Sequence, residues 1–469
     1  MPKKQYFGWQ ERMIMPTPKN NSRRGFIKKT AAASGLMLGM PTILRGHSNA
    51  TSHDLTRPEN TQFSANDRIN LAVIGAGGMG VEDGKTALRV PGVQMVAACD
   101  LYDGRLSAAK ERWGKDLFTT RDYREILARP DVDAVIIGTP DHWHKQISVD
   151  ALNAGKGVYC EKPMVHSIGE GPAVVAAQKS SQKTFQVGSQ GMSSLGNEKA
   201  RELYRQGAIG QLVYAEGFWA RNSPTGAWQY AIPNDASSQT VDWDRYVSNT
   251  TKRDFDPLRF FRWRNYRDYG TGMSGDLFVH LFSSLHFVVS SIGPEQIIAT
   301  GGLRYWKDGR EVPDVLLGMF AYGQQEGHPP FNLSLRCNFV DGTSGSTYLR
   351  LVGSEGAMDI TWTDVYLRRN LVSDPIDPFL QQKSSENVVS ETRVKMQPPE
   401  LSHYQVQDGY KGAHYDHFNN FFGGVRHGKE VMEDAVFGYR AAAPALLCND
   451  SYFDEKIIRW DPKEMRVVS

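Results

Sequence analysis

Between a short apolar run, residues 68–74, and a helical pattern lies Gly75-Ala76-Gly77-Gly78-Met79-Gly80. Glycines at this spacing, between a strand and a helix, leave little choice of fold. Gly75 permits a tight turn, Gly77 lets a ligand approach backbone, and Gly80 lets the helix pack close to the strand. A second apolar run, 93–99, ends in Asp100, 20 residues beyond Gly80. The alternation continues through a helical stretch at 122–128, an apolar strand at 133–138 and the loop Thr139-Pro140-Asp141-His142-Trp143-His144. A helix at 144–155 follows, then a strand at 157–160 closed by Glu161-Lys162-Pro163, and a last strand at 185–188. Strands alternating with helices in this way predict a doubly wound parallel sheet, an α/β domain over residues 67–190.

Such sheets bind ligands outside the carboxyl ends of their strands. A pyrophosphate fits the N-terminus of the helix that Gly78 and Met79 open, where free N–H groups and the dipole favour anions. Asp100 can accept both hydroxyls of a ribose and would repel a 2′-phosphate, which favours NAD over NADP; Arg105 is the residue that could reverse this preference. Lys162 stands at a strand end that faces the same crevice, where a lysine can act as an acid or base. Alone, a lysine in a turn is a surface feature. The glycine turn and Asp100 change its meaning.

The chain has 469 residues, which suits two domains and an appendage. Its formal charge of +2 gives no argument for nucleic acid. No apolar run reaches the roughly 18 residues of a membrane helix. Cys99, Cys160, Cys337 and Cys448 show no C-x-x-C spacing and read as free thiols. Residues 1–50 read as an export signal: Ser22-Arg23-Arg24-Gly25-Phe26-Ile27-Lys28-Lys29 matches the twin-arginine pattern, a weakly apolar stretch follows, and Ser48-Asn49-Ala50 suits cleavage. The expected location is the periplasm, reached folded through the twin-arginine machinery. The polar residues 51–66 read as a linker.

From residue 191 the pattern changes to an amphipathic helix at 198–206 and alternating strands at 212–220, 333–339 and 346–351, an α+β domain expected over 191–469. Asp276 and His280 are four apart and share a face on a helix, with Gly275 suiting a helix start near a ligand. Arg262, Trp263 and Arg264 lie in an aromatic and arginine run that could line a pocket for a sugar face or an anionic group. His414-Tyr415-Asp416-His417 and His142-x-His144 suggest metal ligands, but no further Cys, His or Glu set has matching spacing, so no metal site is expected.

Taken together, the chain resembles the Gfo/Idh/MocA oxidoreductases. The resemblance rests on residues 75–80, Asp100, Thr139-Pro140 with His144, Glu161-Lys162-Pro163, Gly275 to His280 and Gly353-Ser354-Glu355-Gly356. The Asp-His-Trp-His loop and the leader look like an exported subgroup. The family implies a second domain with an open, mostly antiparallel sheet whose outer face often makes dimers or tetramers. It also implies NAD against Gly75, Gly77, Gly78, Met79, Gly80, Asp100, Thr139, Pro140, His144, Glu161, Lys162 and Pro163. Lys162, Asp276 and His280 are then the reacting group. His280 exchanges the substrate hydroxyl proton, Lys162 hydrogen-bonds the same oxygen, and Asp276 holds a second oxygen or orients the histidine. The first two roles could be reversed.

Three functions are open on this reading: an NAD-dependent oxidoreductase for a sugar, sugar derivative or cyclitol hydroxyl; a redox-neutral glycosidase using bound NAD by oxidation, elimination and reduction; and a non-catalytic NAD-binding protein. Outside the cytoplasm free NAD is scarce, so the cofactor is expected to be tightly bound and regenerated in place.

Overall fold

The computed structural model describes residues 51–57, 68–343, 347–370 and 399–468. The export leader therefore lies outside the described residues.

Six all-parallel strands form the first sheet in the order Phe118–Thr120, Val93–Cys99, Ile69–Ile74, Ala134–Ile137, Gly157–Cys160, Phe185–Val187. The central strands Ala134–Ile137 and Gly157–Cys160 are buried throughout, as continuous apolar runs covered on both faces should be. The order reverses between Ile69–Ile74 and Ala134–Ile137, and a crevice opens at such a switch point.

The second sheet has 11 strands and is mostly antiparallel, as expected. Its order is Thr51–Leu55, Glu400–Val406, Asp364–Arg369, Gly356–Ile360, Tyr348–Gly353, Leu212–Ala220, Phe331–Asn338, Val315–Tyr322, Gln296–Gly302, Ile458–Asp461, Arg466–Val468. Alternate residues of Val315–Tyr322 and Phe331–Asn338 are buried, the period of a sheet covered on one face. The helices Leu195–Arg205, Val279–Val289 and Ala435–Phe453 supply that cover. Ala435–Phe453 continues through Pro444 and also packs on Phe185–Val187, so one helix fastens the two sheets together.

Two local expectations change. Thr51–Leu55, inside the stretch read as linker, is an edge strand paired in parallel with Glu400–Val406, with His53 stacked on Tyr404 at 4.7 Å. The unpaired backbone of Glu400–Val406 gives that polar segment a partner which its composition does not announce. Gly275 does not start a helix. It lies within a π-helical turn, Ser274–Phe278, that runs directly into Val279–Val289.

Candidate active site

The glycine turn forms at the switch point. Gly75 has φ +92°, and a Cβ there would lie 2.6 Å from the Gly138 carbonyl carbon. Gly80 meets the Gly75 carbonyl so closely that a Cβ would overlap it. The helix Gly78–Ala87 has no side-chain cap at Gly77 and no acidic residue in its first turn, so its leading N–H groups are left for an anion. A Cβ on Gly78 would meet nothing within 4 Å. This end of the cleft therefore fits a dinucleotide pyrophosphate.

A cleft of about 600 Å³ runs from Asp100 and Arg105 past Gly75, Gly77, Gly78, Met79, Thr139 and Pro140 to Glu161, Lys162, Asp276 and His280. Asp100 is buried at its strand end and accepts from the Tyr102 N–H at 3.0 Å. Arg105 Nη1 stands 3.4 Å from Asp100 Oδ1, and its guanidinium lies over Phe260 and Phe261 at 5.5 and 5.4 Å. The arginine flagged as able to alter the ribose site is thus held by second-domain rings beside the acid.

At the inner end, Lys162 Nζ donates to both Asp276 O and Asp276 Oδ1 at 2.8 Å. The Lys162–Pro163 peptide is cis. Arg264 Nε reaches the same carboxylate at 3.2 Å. Burial opposes the Asp276 charge, but Lys162 and Arg264 outweigh it and hold the carboxyl well below its usual range. Asp276 therefore orients Lys162 and Arg264; among its hydrogen bonds none goes to His280. His280 is kept far below the usual histidine range by burial and then by Lys162, so its ring is neutral. Its Nδ1 is buried without a hydrogen-bond partner. Trp219 stacks on it at 5.3 Å and Trp362 meets it edge-on at 5.9 Å. An unpartnered neutral imidazole, an anchored ammonium and flanking indoles suit a polyhydroxylated ligand with one reacting oxygen.

Four of the expected contact residues stand elsewhere. His144 lies under the loop: its two ring nitrogens face the Pro163 and Thr139 carbonyls at 2.7 and 3.0 Å, so it ties that loop to the Glu-Lys-Pro turn. Both partners are acceptors, so both nitrogens donate. Against burial, Cys160, Asp141 and the Pro163 carbonyl push its pKa up to about 10. Gly80 and Pro163 are packing positions outside the lining. Arg262 turns away to Gln229 and the Tyr230 carbonyl, while Trp263 and Arg264 line the cleft. The histidines considered as metal ligands have other partners. His142 meets the Tyr246 carbonyl, His414 meets Asp83, and His417 meets Val187 O and Ser193. Among the described residues no group of three His, Cys, Asp or Glu could hold a metal ion.

Residues 221–271 leave the strand Leu212–Ala220 and cross the carboxyl ends of the first sheet. Val241 pairs with Tyr102, the Asp242 N–H donates to Leu101 O, and Arg245 bridges to Asp122 at 2.6 Å. Trp143 Nε1 donates to Tyr246 O, and Thr271 Oγ1 donates to Asp141 at 2.7 Å. Asp141, His142 and Trp143 are thus the anchor of this strap. An aromatic cluster of Tyr102, Trp243, Tyr246, Phe260, Phe261 and Tyr269 fills the space beneath it.

Several groups are protonated more firmly here than in an unfolded chain. Burial, then Asp83, pushes Glu161 up to about 8; burial pushes Glu433 up to about 8; and His144 rises as above. Their contribution is complete below their unfolded values and fades as pH rises through the folded ones. The buried His142, His280, His286 and His417 are shifted downward and have the opposite slope, but that slope ends as the unfolded histidines become neutral above about pH 7. Urea denaturation should therefore show stability falling by on the order of 2 kcal/mol between about pH 7 and about pH 8, less steeply in Glu161→Gln. A flat or rising curve would contradict the protonated Glu161.

Residues 69–189 match the sequence model of the Gfo/Idh/MocA family, described as "Oxidoreductase family, NAD-binding Rossmann fold". The first domain is of that NAD-binding class. The chain is similar to inositol 2-dehydrogenase of Rubrobacter xylanophilus, 32% identical over 197 residues, covering 42% of this chain and 52% of that protein. Inositol 2-dehydrogenase of Salmonella typhimurium is 30% identical over 151 residues, 32% of this chain and 45% of that one. A glycosyl hydrolase family 109 protein of Shewanella baltica is 25% identical over 237 residues, 45% of this chain and 50% of that one. The matches thus span about half the length of these relatives. Among solved structures, levoglucosan dehydrogenase in complex with NADH shares the fold, with TM-score 0.61, 17% identity, and cover of 84% of this chain and 99% of that one.

Proposed function

We propose that the protein is an NAD-dependent oxidoreductase acting on a hydroxyl carbon of a sugar, sugar derivative or cyclitol. One observation carries this reading: neutral His280 and Lys162 both line the inner end of a cleft that begins at the glycine turn. Bound NAD supplies the two-electron chemistry. The chain's residues handle the oxygen and its proton. His280 takes the hydroxyl proton, which a neutral imidazole can do. Two of the three Lys162 donors are held by Asp276, which leaves the third for the substrate oxygen as charge develops there. Trp219, Trp263 and Trp362 give the apolar faces on which a sugar ring can lie. Gly75, Gly77, Gly78 and Met79 bind the pyrophosphate, Asp100 the ribose, and Thr139, Pro140 and Glu161 line the remaining wall.

The strap over the carboxyl ends supports a nucleotide held through turnover. So does export, proposed here from the twin-arginine pattern, because a retained cofactor needs no external pool. NADP fits less well beside the Asp100 carboxylate, although Arg105 lies near it. The outward face of the second sheet exposes Val213, Leu317 and Met319, which supports assembly as a dimer or tetramer. A second reading, the redox-neutral glycosidase, is favoured by the match to the glycosyl hydrolase family 109 protein.

Protein purified without added nucleotide should carry NAD that appears in the supernatant only after denaturation. Added sugars or cyclitols should then produce a lasting, single-turnover rise in reduced-nicotinamide absorbance. Sugar release from a nitrophenyl glycoside with no net rise would favour the glycosidase. Absence of both signals would overturn the catalytic reading.

A further inference from the structure

Charge along the cleft does not balance, and the excess lies at the inner end. Toward Asp100 each lining arginine has an acid of its own. Arg105 stands by Asp100, Arg121 pairs with Asp103, and Arg245 pairs with Asp122 and Asp242. At the inner end the lining cations are Lys162, Arg221 and Arg264, and the lining acids are Glu161 and Asp276. Burial keeps Glu161 protonated near neutral pH, which leaves Asp276 as the charged acid. Lys162 and Arg264 share one of its oxygens, Oδ1, at 2.8 and 3.2 Å. Arg221 follows the strand Leu212–Ala220, and its guanidinium lies over Trp219 at 5.9 Å. Among the described residues it has no ion pair and no side-chain hydrogen bond. The inner end thus holds three cations and one carboxylate. Oxidised nicotinamide is itself a cation and adds to that excess, while the pyrophosphate is met at the other end by helix N–H groups.

Arg264 suits an anion in shape as well as in charge. Its guanidinium lies on the Trp263 face at 4.2 Å and its Nε donates to Asp276, so two contacts fix its plane. Its two Nη groups meet no acceptor among the described residues, and Arg264 lines the cleft. Paired N–H groups in a fixed plane match the two oxygens of a carboxylate or a phosphate. Lys162 Nζ and Arg264 Nε bond the same oxygen, so the span between them is no wider than one sugar ring with its substituents.

We propose that the substrate is an anionic sugar whose oxyanion, a carboxylate or a phosphate ester, is carried on the ring that is oxidised and is held by Arg264, with Arg221 adding positive charge beside Trp219. This rests on the oxidoreductase reading and narrows its substrate class. A hexuronate meets the geometry directly: its carboxylate takes the Arg264 fork, its ring lies on an indole face, and one of its hydroxyls reaches Lys162 and His280. A neutral sugar leaves the excess charge of the inner end without a counter-ion. Discrimination then comes from the missing partner, as a site built for a polar group rejects an analogue that lacks it.

Full-length protein loaded with NADH cannot oxidise an added sugar, so calorimetric titration reads binding alone. Glucuronate or galacturonate should bind at least tenfold more tightly than its neutral amide, and the preference should shrink as salt is raised. Glucose 6-phosphate against glucose is the phosphate arm; a tenfold preference there, with none for the uronates, assigns the oxyanion to a phosphate ester. Arg264→Gln should bring the favoured pair to within about twofold of each other, and Arg264→Lys, which keeps the charge without the fork, should recover part of the difference. Arg221→Gln, at an exposed position where folding is not at stake, should reduce the preference severalfold. Equal binding of charged and neutral partners in both arms overturns the inference, as does a preference that survives both Arg264→Gln and Arg221→Gln. Its failure is distinct from that of the oxidoreductase reading. Nicotinamide reduction by neutral sugars that bind as well as the anionic ones leaves the enzyme and removes the anion site. Tight, arginine-dependent binding of an anionic sugar that never reduces NAD does the reverse.

Discussion

Lys162→Ala should abolish sugar-dependent nicotinamide reduction, lowering the single-turnover rate about a thousandfold, while NAD remains bound. Three consequences of the site geometry combine in this variant. The donor to the substrate oxygen is lost. Asp276 keeps Arg264, at 3.2 Å, as its ion-pair partner. His280 loses the cation that, after burial, does most to keep it neutral. Nucleotide retention should survive, because the glycine turn, Asp100 and the strap are untouched. The readouts are the nucleotide content of denatured protein and the amplitude of reduction after mixing with sugar. Activity within tenfold of wild type would remove Lys162 from the chemistry.

Gly80→Ala should have the largest effect on cofactor retention. Three segments meet at Gly80. Its Cβ would overlap the Gly75 carbonyl, would lie 3.2 Å from Val73 Cγ2, and would intrude where Gly138 already approaches so closely that a Cβ on Gly138 would be 2.9 Å from the Gly80 Cα. The helix has to move off the strand, which costs about 1–3 kcal/mol and shifts the first-turn N–H groups away from the pyrophosphate position. Purified Gly80→Ala should carry little NAD and melt at lower temperature. Gly78→Ala is the contrast, since a methyl there meets only open cleft: its melting temperature without nucleotide should be near wild type. Equal nucleotide content in Gly80→Ala and wild type would contradict the placement of the helix.

The first domain was largely legible because its constraints are local. A glycine turn between a strand and a helix, and an acid at the next strand end, each follow from a few neighbouring residues. Lys162, Asp276 and His280 were legible as a group through resemblance, and the fold brings them to one end of one cleft. Asp276 shows where such reading stops: its partner turned out to be Lys162, 114 residues away, and not the nearby histidine, a tertiary contact that spacing along one helix does not reveal. Trp362 carried no local signal. It reaches His280 because Gly191 and Gly196 have no side chains to block it, a packing relation between distant segments. The same holds for the strap. Its aromatic run is visible in sequence, but its anchors at Asp122, Asp141 and Trp143 depend on tertiary placement. Thr51–Leu55 was masked by polarity, since an edge strand needs only a neighbour with free backbone groups.

The most direct test of the central claim follows the hydrogen itself. NAD-loaded protein is mixed with a fully deuterated sugar or cyclitol, denatured after one turnover, and its nucleotide is weighed by mass spectrometry. Transfer from a hydroxyl carbon predicts reduced nucleotide carrying a single deuterium from the substrate, and none in Lys162→Ala. Nucleotide that stays oxidised and unlabelled across the sugars and cyclitols tried would contradict the account.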